Sequence, residues 1–284
     1  MSVEVPGAST VLCHLLHFWG IGLETAKEVR GVMDLLLPGR FENPATVYGY
    51  QRAVFEEVAS GVRGAVVSIT PSTRHLGVTR RDTFRPGFER AVRAAGEEGY
   101  PALIRGAGGG ATAAGAGTFG FSIIRPTDGS EGRRGIQDRY DEAAALALGA
   151  FERLGVRAEV GEVRDEFCPG DHSIRLGDWK DGAKVVGIAQ RITRRATSVG
   201  GIVLVHGEKD LALVLERVYT AMKLPFRAAS VGSLRQAGCN ATVEEGIEAF
   251  AGETKLRYGA TRVPLDVSTL ETARRDGSQH LVAR

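Results

Sequence analysis

The spacing of apolar residues changes from segment to segment, and each change marks an element. Tyr140, Ala144, Ala147, Phe151 and Leu154 recur at i, i+4, i+7, i+11 and i+14, which predicts a helix over 136–154. Tyr50 to Ser60 predicts another, closed by Gly61. Pro86 opens a third that runs to about Gly96, at an early position where its missing N–H costs nothing. Leu211–Met222 and Val243–Phe250 are also helical, and Thr242 with Glu245 three residues on spells a capping box. Strands are predicted at 65–69, 102–105, 118–124, 156–163, 173–176, 184–192 and 201–206. The last four follow one another with no helix between, which favours antiparallel pairing. The fold expected is α+β, a mixed and mainly antiparallel sheet flanked by helices. Residues 1–45 read as an irregular or helical N-terminal arm ending near Pro44. Residues 46–284 read as one domain with a C-terminal helical extension.

Composition narrows the function classes. The chain has 284 residues, 43% hydrophobic and 25% charged, enough to build an ordinary globular core. A net charge of +2 points to neither nucleic acid nor a membrane surface. Cysteines 13, 168 and 239 are too few and too scattered for a disulfide framework or a zinc cluster, and fit reduced thiols in the cytoplasm. The six histidines (14, 17, 75, 172, 206 and 280) show no metal-ligand spacing. Val11–Leu23 is apolar but holds two histidines, lacks a basic flank and is shorter than the roughly 20 residues of a spanning helix. It is expected to be an amphipathic surface or core helix.

Three segments could carry chemistry. In Arg105-Gly-Ala-Gly-Gly-Gly-Ala111, consecutive glycines let the backbone approach a ligand and offer free N–H groups to a carbonyl or phosphate. It lacks the Lys-Ser/Thr ending of a phosphate-binding P-loop, and an unliganded hairpin is the alternative. In Phe167-Cys-Pro-Gly-Asp171, a cysteine at a turn is reachable as a nucleophile if a nearby cation lowers its pKa. His172 is close enough in sequence to act as its base. Cys13 and Cys239 read as inert. In Lys184-Val-Val-Gly187-Ile-Ala189-Gln-Arg191, the lysine is either a surface residue or an ammonium set in a pocket to polarise an acyl carbonyl.

In this order and spacing, the three segments resemble the biotin/lipoate A/B protein ligase catalytic domain family, in its lipoate–protein ligase, octanoyltransferase and lipoyl amidotransferase branch. Thr79-Arg-Arg-Asp82, Val218-Tyr219, Leu224-Pro-Phe226 and Val231-Gly232 add to the likeness, which covers about residues 48–250. The resemblance implies a fold like that of class II aminoacyl-tRNA synthetases and biotin synthetases, with an acyl tunnel. It implies that Cys168 and Lys184 are catalytic. It implies that Arg105, Gly108, Gly109, Gly110, Ala111, Gly187 and Ala189 bind substrate. The activity implied is transfer of an octanoyl or lipoyl group, through a cysteine thioester, to a lysine of a lipoyl carrier domain. An acyl carrier protein is the other candidate partner, and no cofactor or metal is required. The alternatives are an ATP- and Mg²⁺-dependent lipoate ligase and a non-catalytic acyl-binding relative. The sequence departs from the family at Gly106 and Ala114, where many relatives carry arginine and histidine. It also departs in the bare stretch Thr112–Gly117 and in an insertion, Asp178–Asp181. These departures weaken the case for ATP and leave room for a specialised acceptor.

Overall fold

The computed structural model describes residues 33–129 and 135–282. The expected helix at Val11–Leu23, and Cys13 within it, lie outside these. Strand β1 (Asp34–Leu36) falls in the segment expected to be an arm, yet it pairs in parallel with β2 (Val66–Pro71). Helix α1 (Pro44–Ser60) begins six residues before the pattern at Tyr50. The Asn43 side chain accepts the Ala45 N–H at 2.8 Å, and Pro44 takes the first helical position. The proline therefore opens this helix where an arm was expected to end. Gly61 closes it in the left-handed region, as expected.

The chain continues through β3 (His75–Val78), α2 (Phe88–Glu97), β4 (Ala102–Ile104), β5 (Thr112–Ala114), β6 (Thr118–Pro126) and α3 (Ile136–Arg153). Then follow β7 (Glu159–Val160), β8 (Ile174–Leu176), β9 (Ala183–Ile192), β10 (Ala196–Leu204), α4 (Glu208–Ala221), α5 (Val243–Tyr258), β11 (Thr261–Arg262) and α6 (Val267–Asp276). Eight strands form one sheet in the order β11-β1-β2-β6-β10-β9-β8-β7, parallel at the β11-β1-β2 edge and antiparallel elsewhere. The mixed, mainly antiparallel architecture is the one the sequence predicts. Of the strand expected at 156–163 only Glu159–Val160 is in regular pairing, and Gly161 adds one bond from its N–H to Ser173 O at 2.8 Å. Gly200 and Gly201 lie inside β10, because a Cβ there would collide with the carbonyls of Phe121 and Gly187 on the flanking strands.

A second sheet, β4-β3-β5, carries the glycine loop. Its strands β4 and β5 both pair with β3 and not with each other, so the loop crosses over β3 and is no hairpin. Helices α2 and α4 pack on this sheet around Leu76, Val78, Leu215 and Val218.

Alternation along the large sheet separates two faces. Val67, Ile69, Phe119, Phe121 and Ile123 point to a core shared with α3 and α5, where the Phe250 ring lies 5.0 Å from Phe119 and 6.0 Å from Phe151. The other face carries small residues. Ser68, Ser122, Gly200 and Ala189 stand in one row across β2, β6, β10 and β9. Without large side chains there, a cavity of about 730 Å³ remains between this face and α1. Helix α6 packs on α1 so closely that a Cβ at Gly49 would collide with the Ala273 carbonyl. Beyond it, Leu281 pairs with Leu103, and Val282 N–H bonds Ala102 O at 3.0 Å.

Candidate active site

The segment from Val163 to Ser173 is folded around a buried carboxylate. Glu166, 1% exposed, accepts the Val163 N–H at 3.0 Å, the Gly170 N–H at 3.2 Å and the Ser173 hydroxyl at 2.6 Å. These bonds close a tight loop whose apex is Cys168, at φ +44° and directly before Pro169. A non-glycine residue there occupies a sparsely populated backbone region, a cost of about 1–3 kcal/mol that the surrounding bonds must offset. Tyr219 on α4 helps: its hydroxyl accepts the Cys168 N–H at 2.6 Å and donates to Ala111 O at 2.9 Å. One side chain thus ties the cysteine loop to the glycine loop.

Lys184, the second residue of β9, points at this loop. Its ammonium donates to Glu166 Oε1 at 3.0 Å, Phe167 O at 2.9 Å and Cys168 O at 2.8 Å. Ammonium and carboxylate are both fully buried, and the charge also lies over the Phe167 ring at 4.7 Å. All three N–H donors are therefore taken by the protein. The expectation that this lysine grips the acyl carbonyl differs from the geometry found, in which it clamps the backbone on either side of the sulfur.

The glycine loop wraps the thiol. Cys168 Sγ receives the Gly110 N–H at 3.2 Å and an Arg105 Nη2 hydrogen at 3.3 Å, and the same Nη2 reaches Gly110 O at 2.6 Å. Burial pushes the Cys168 thiol up, but the charges of Arg105 and Lys184 and the two hydrogen bonds outweigh it, leaving the pKa below that of an ordinary thiol. Gly109 stands at φ +104°, and a Cβ there would lie 2.5 Å from the sulfur and 2.7 Å from Arg105 Nη2.

Cys168, Arg105, Gly187 and Ala189 line the 730 Å³ cavity. Gly106 and Ala107 face it in place of Gly108–Gly110, which close around the sulfur. Ala111 is buried behind them. His172 is no base for the thiol: its ring stacks on Tyr140 at 4.3 Å and its Nε2 meets Gln137 at 2.7 Å. The inserted Asp178–Asp181 is a tight turn between β8 and β9, held by Asp178 Oδ1 accepting the Lys180 and Asp181 N–H groups.

Several residues of the site carry no local signal in the sequence. Glu166 precedes the Cys-Pro-Gly turn, but only the loop's closure gives its carboxylate four donors. Tyr48 and His280 come from α1 and from the segment after α6, and both line the cavity. His75 joins them from β3, with ring centroids 5.2 Å from Tyr48, and Tyr48 lies 5.7 Å from His280.

Comparison with known proteins identifies the family. Residues 43–255 match the lipoyl protein ligase A/B catalytic domain. The octanoyl-[GcvH]:protein N-octanoyltransferase of Geobacillus kaustophilus is 28% identical over 155 residues, 55% of this chain and 53% of that protein. The lipoyl-[GcvH]:protein N-lipoyltransferase of Listeria monocytogenes is 26% identical over 152 residues, 53% of this chain and 50% of that protein. The chain thus spans about half the length of the curated relatives it matches. The bipartite lipoate protein ligase of Thermoplasma acidophilum superposes with a TM-score of 0.62 at 17% identity, covering 87% of this chain and 93% of that one, which speaks for the fold. The domain match takes in well over half of the sequence, from the Asn43 cap of α1 through the cysteine and glycine loops to α5, and the chain belongs to the lipoyl protein ligase A/B catalytic domain family.

Proposed function

We propose that this protein moves an octanoyl or lipoyl group, by way of a thioester on Cys168, to a lysine of a lipoyl carrier domain, without a nucleotide. The observation that carries the reading is the Cys168 sulfur, held between the Arg105 guanidinium and the Gly110 N–H at a cavity floored by small residues. A thiolate so stabilised attacks the acyl carbonyl of the donor; the C–S bond forms as the bond to the donor's nitrogen or sulfur breaks, and the leaving group takes up the equivalent of the proton the thiol gave up. The relatives named above as octanoyl- and lipoyl-[GcvH]:protein transferases support the acyl group and the carrier class. Exchange of one lysine amide for another is close to balanced overall, and transfer from a thioester donor to an amide is downhill, so ATP has no step to supply. Arg105, Gly187 and Ala189 are the proposed substrate-facing set, with Cys168 the nucleophile, Gly110 a donor to its sulfur and Lys184 the residue that fixes its loop.

Intact mass spectrometry after incubation with octanoyl-GcvH or an octanoyl carrier thioester tests this. A gain of one octanoyl group without ATP or Mg²⁺, lost in Cys168→Ser and kept in Cys239→Ser, is the expected result. Attachment of free lipoate only with ATP and Mg²⁺, undisturbed by Cys168→Ser, would install the ligase instead.

A further inference from the structure

On the proposed thioester route, the second half-reaction needs a free amine. A lysine arrives protonated at neutral pH, its ordinary pKa being about 10.4, so some group must take a proton before it attacks. Few groups around the cavity can. The arginines that line it, among them Arg52 and Arg105, are permanently protonated. Cys168 carries the acyl group at this stage. Burial pushes the Tyr48 phenol up to about 12, against a small opposing pull from Arg105, so it holds its own proton. Burial pulls His75 down to about 4, opposed by its Nδ1 bond to Thr73 O and aided by Arg105, so it cannot keep a proton it is given. Lys184 is buried with every donor in use.

His280 remains, and its geometry suits the task. Its Nδ1 lies 3.0 Å from Ile104 O, and since a carbonyl only accepts, this nitrogen carries the hydrogen. Nε2 is then the acceptor, and it is buried with no partner among the described residues. The segment that carries it is anchored by the pairing of Leu281 with Leu103, and by Arg52 donating to Gln279 Oε1 at 2.8 Å. Tyr48 on α1 packs against the ring and Asp276 on α6 interacts with its charge, while Arg52 on α1, His75 on β3 and Arg105 after β4 line the same cavity.

We propose that His280, which lies beyond the family match at 43–255, is the general base for the acceptor lysine. As the acceptor lysine enters the cavity that His280 lines, Nε2 takes one proton from its ammonium, and that proton leaves through the cavity mouth. The free amine attacks the thioester carbonyl, forming the C–N bond. The C–S bond breaks, and the remaining surplus proton on nitrogen passes to the departing Cys168 sulfur, which regains its thiol.

The test loads full-length protein with octanoate on Cys168 and then adds a purified lipoyl carrier domain or hydroxylamine. Hydroxylamine is largely unprotonated at neutral pH and needs no base. Loading is done from an octanoyl carrier thioester, whose thiol leaves without help from this histidine; His280→Gln keeps a donor for Ile104 O and should load normally from it. It should transfer to the carrier lysine slower by about 10²-fold or more, and react with hydroxylamine at the wild-type rate. Added imidazole should restore lysine transfer to His280→Ala. Lysine transfer within a few-fold of wild type, or equal slowing with both nucleophiles, would overturn the assignment. If wild-type protein never loads, the thioester route itself fails and this inference with it; loading is read before any nucleophile is added, so the two failures are distinct.

Discussion

Replacing Lys184 by methionine separates the two jobs a buried ammonium could have. The methionine stem can still pack on Phe167, while the charge disappears. Glu166 keeps the Val163, Gly170 and Ser173 donors but loses its counter-charge, and the carbonyls of Phe167 and Cys168 lose their donor. Breaking a buried pair from one side costs about 3–5 kcal/mol, because an uncompensated charge stays behind. For a chain of this size, that is a fall in Tm of about 6–20 °C. The double variant Lys184→Met/Glu166→Gln removes the stranded charge and should recover at least about 1 kcal/mol, within the usual range for coupled neighbours. Thermal unfolding by circular dichroism reads the stability, and the rate of Cys168 alkylation by iodoacetamide reads the loop. The double variant should unfold nearer to wild type yet alkylate more slowly than wild type, since one of the two cations that favour the thiolate is gone while Arg105 remains. A Lys184→Met protein melting within about 2 °C of wild type, or a double variant no better than the single, would refute the clamp.

Two further outcomes follow from the sulfur's surroundings. Arg105→Gln should move the midpoint of Cys168 alkylation to higher pH: the guanidinium favours the thiolate, so wild-type reactivity rises with pH through a midpoint below that of an ordinary thiol, and loss of the charge returns it upward. An unchanged profile would place the arginine's charge elsewhere. Gly109→Val should abolish loading of Cys168, because its Cβ would sit 2.5 Å from Sγ at a φ that valine rarely adopts; normal loading measured by intact mass would show that the loop opens freely.

Much of this was legible in the sequence, and what escaped it did so for identifiable reasons. Helix α3 and the capping box at Thr242 are local, and the structure shows both, with Thr242 Oγ1 accepting the Glu245 N–H at 3.1 Å. The long antiparallel strands follow from hydrophobic runs. Strands β3 and β5 escaped because His-Leu-Gly-Val and Thr-Ala-Ala alternate too little to declare themselves. The strand Asp34–Leu36 escaped because three residues show no period. The site residues divide in the same way. Cys168 and the glycines sit in motifs, whereas Tyr219, Glu166, Tyr48 and His280 matter through partners far away in sequence. Lys184 was found, but the direction of its ammonium depends on where the loop after Val163 brings its carbonyls.

The two cations beside Cys168 therefore differ in what they can do during a reaction. Lys184 spends its three donors on the protein and acts on the sulfur only through its field. Arg105 touches the sulfur directly, and its Nε–H is buried without a partner among the described residues. On the thioester route, acylation removes the negative charge from Sγ. The Arg105 Nη2 and Gly110 N–H, 3.3 and 3.2 Å from that sulfur, then lose the anion they were holding. The acyl oxygen, one bond beyond the carbon attached to the sulfur, is the nearest place where negative charge develops next, as the amine attacks. On that route, the donors that hold the thiolate stand one bond away from where an oxyanion would form, so they could serve both halves of the reaction from the same loop.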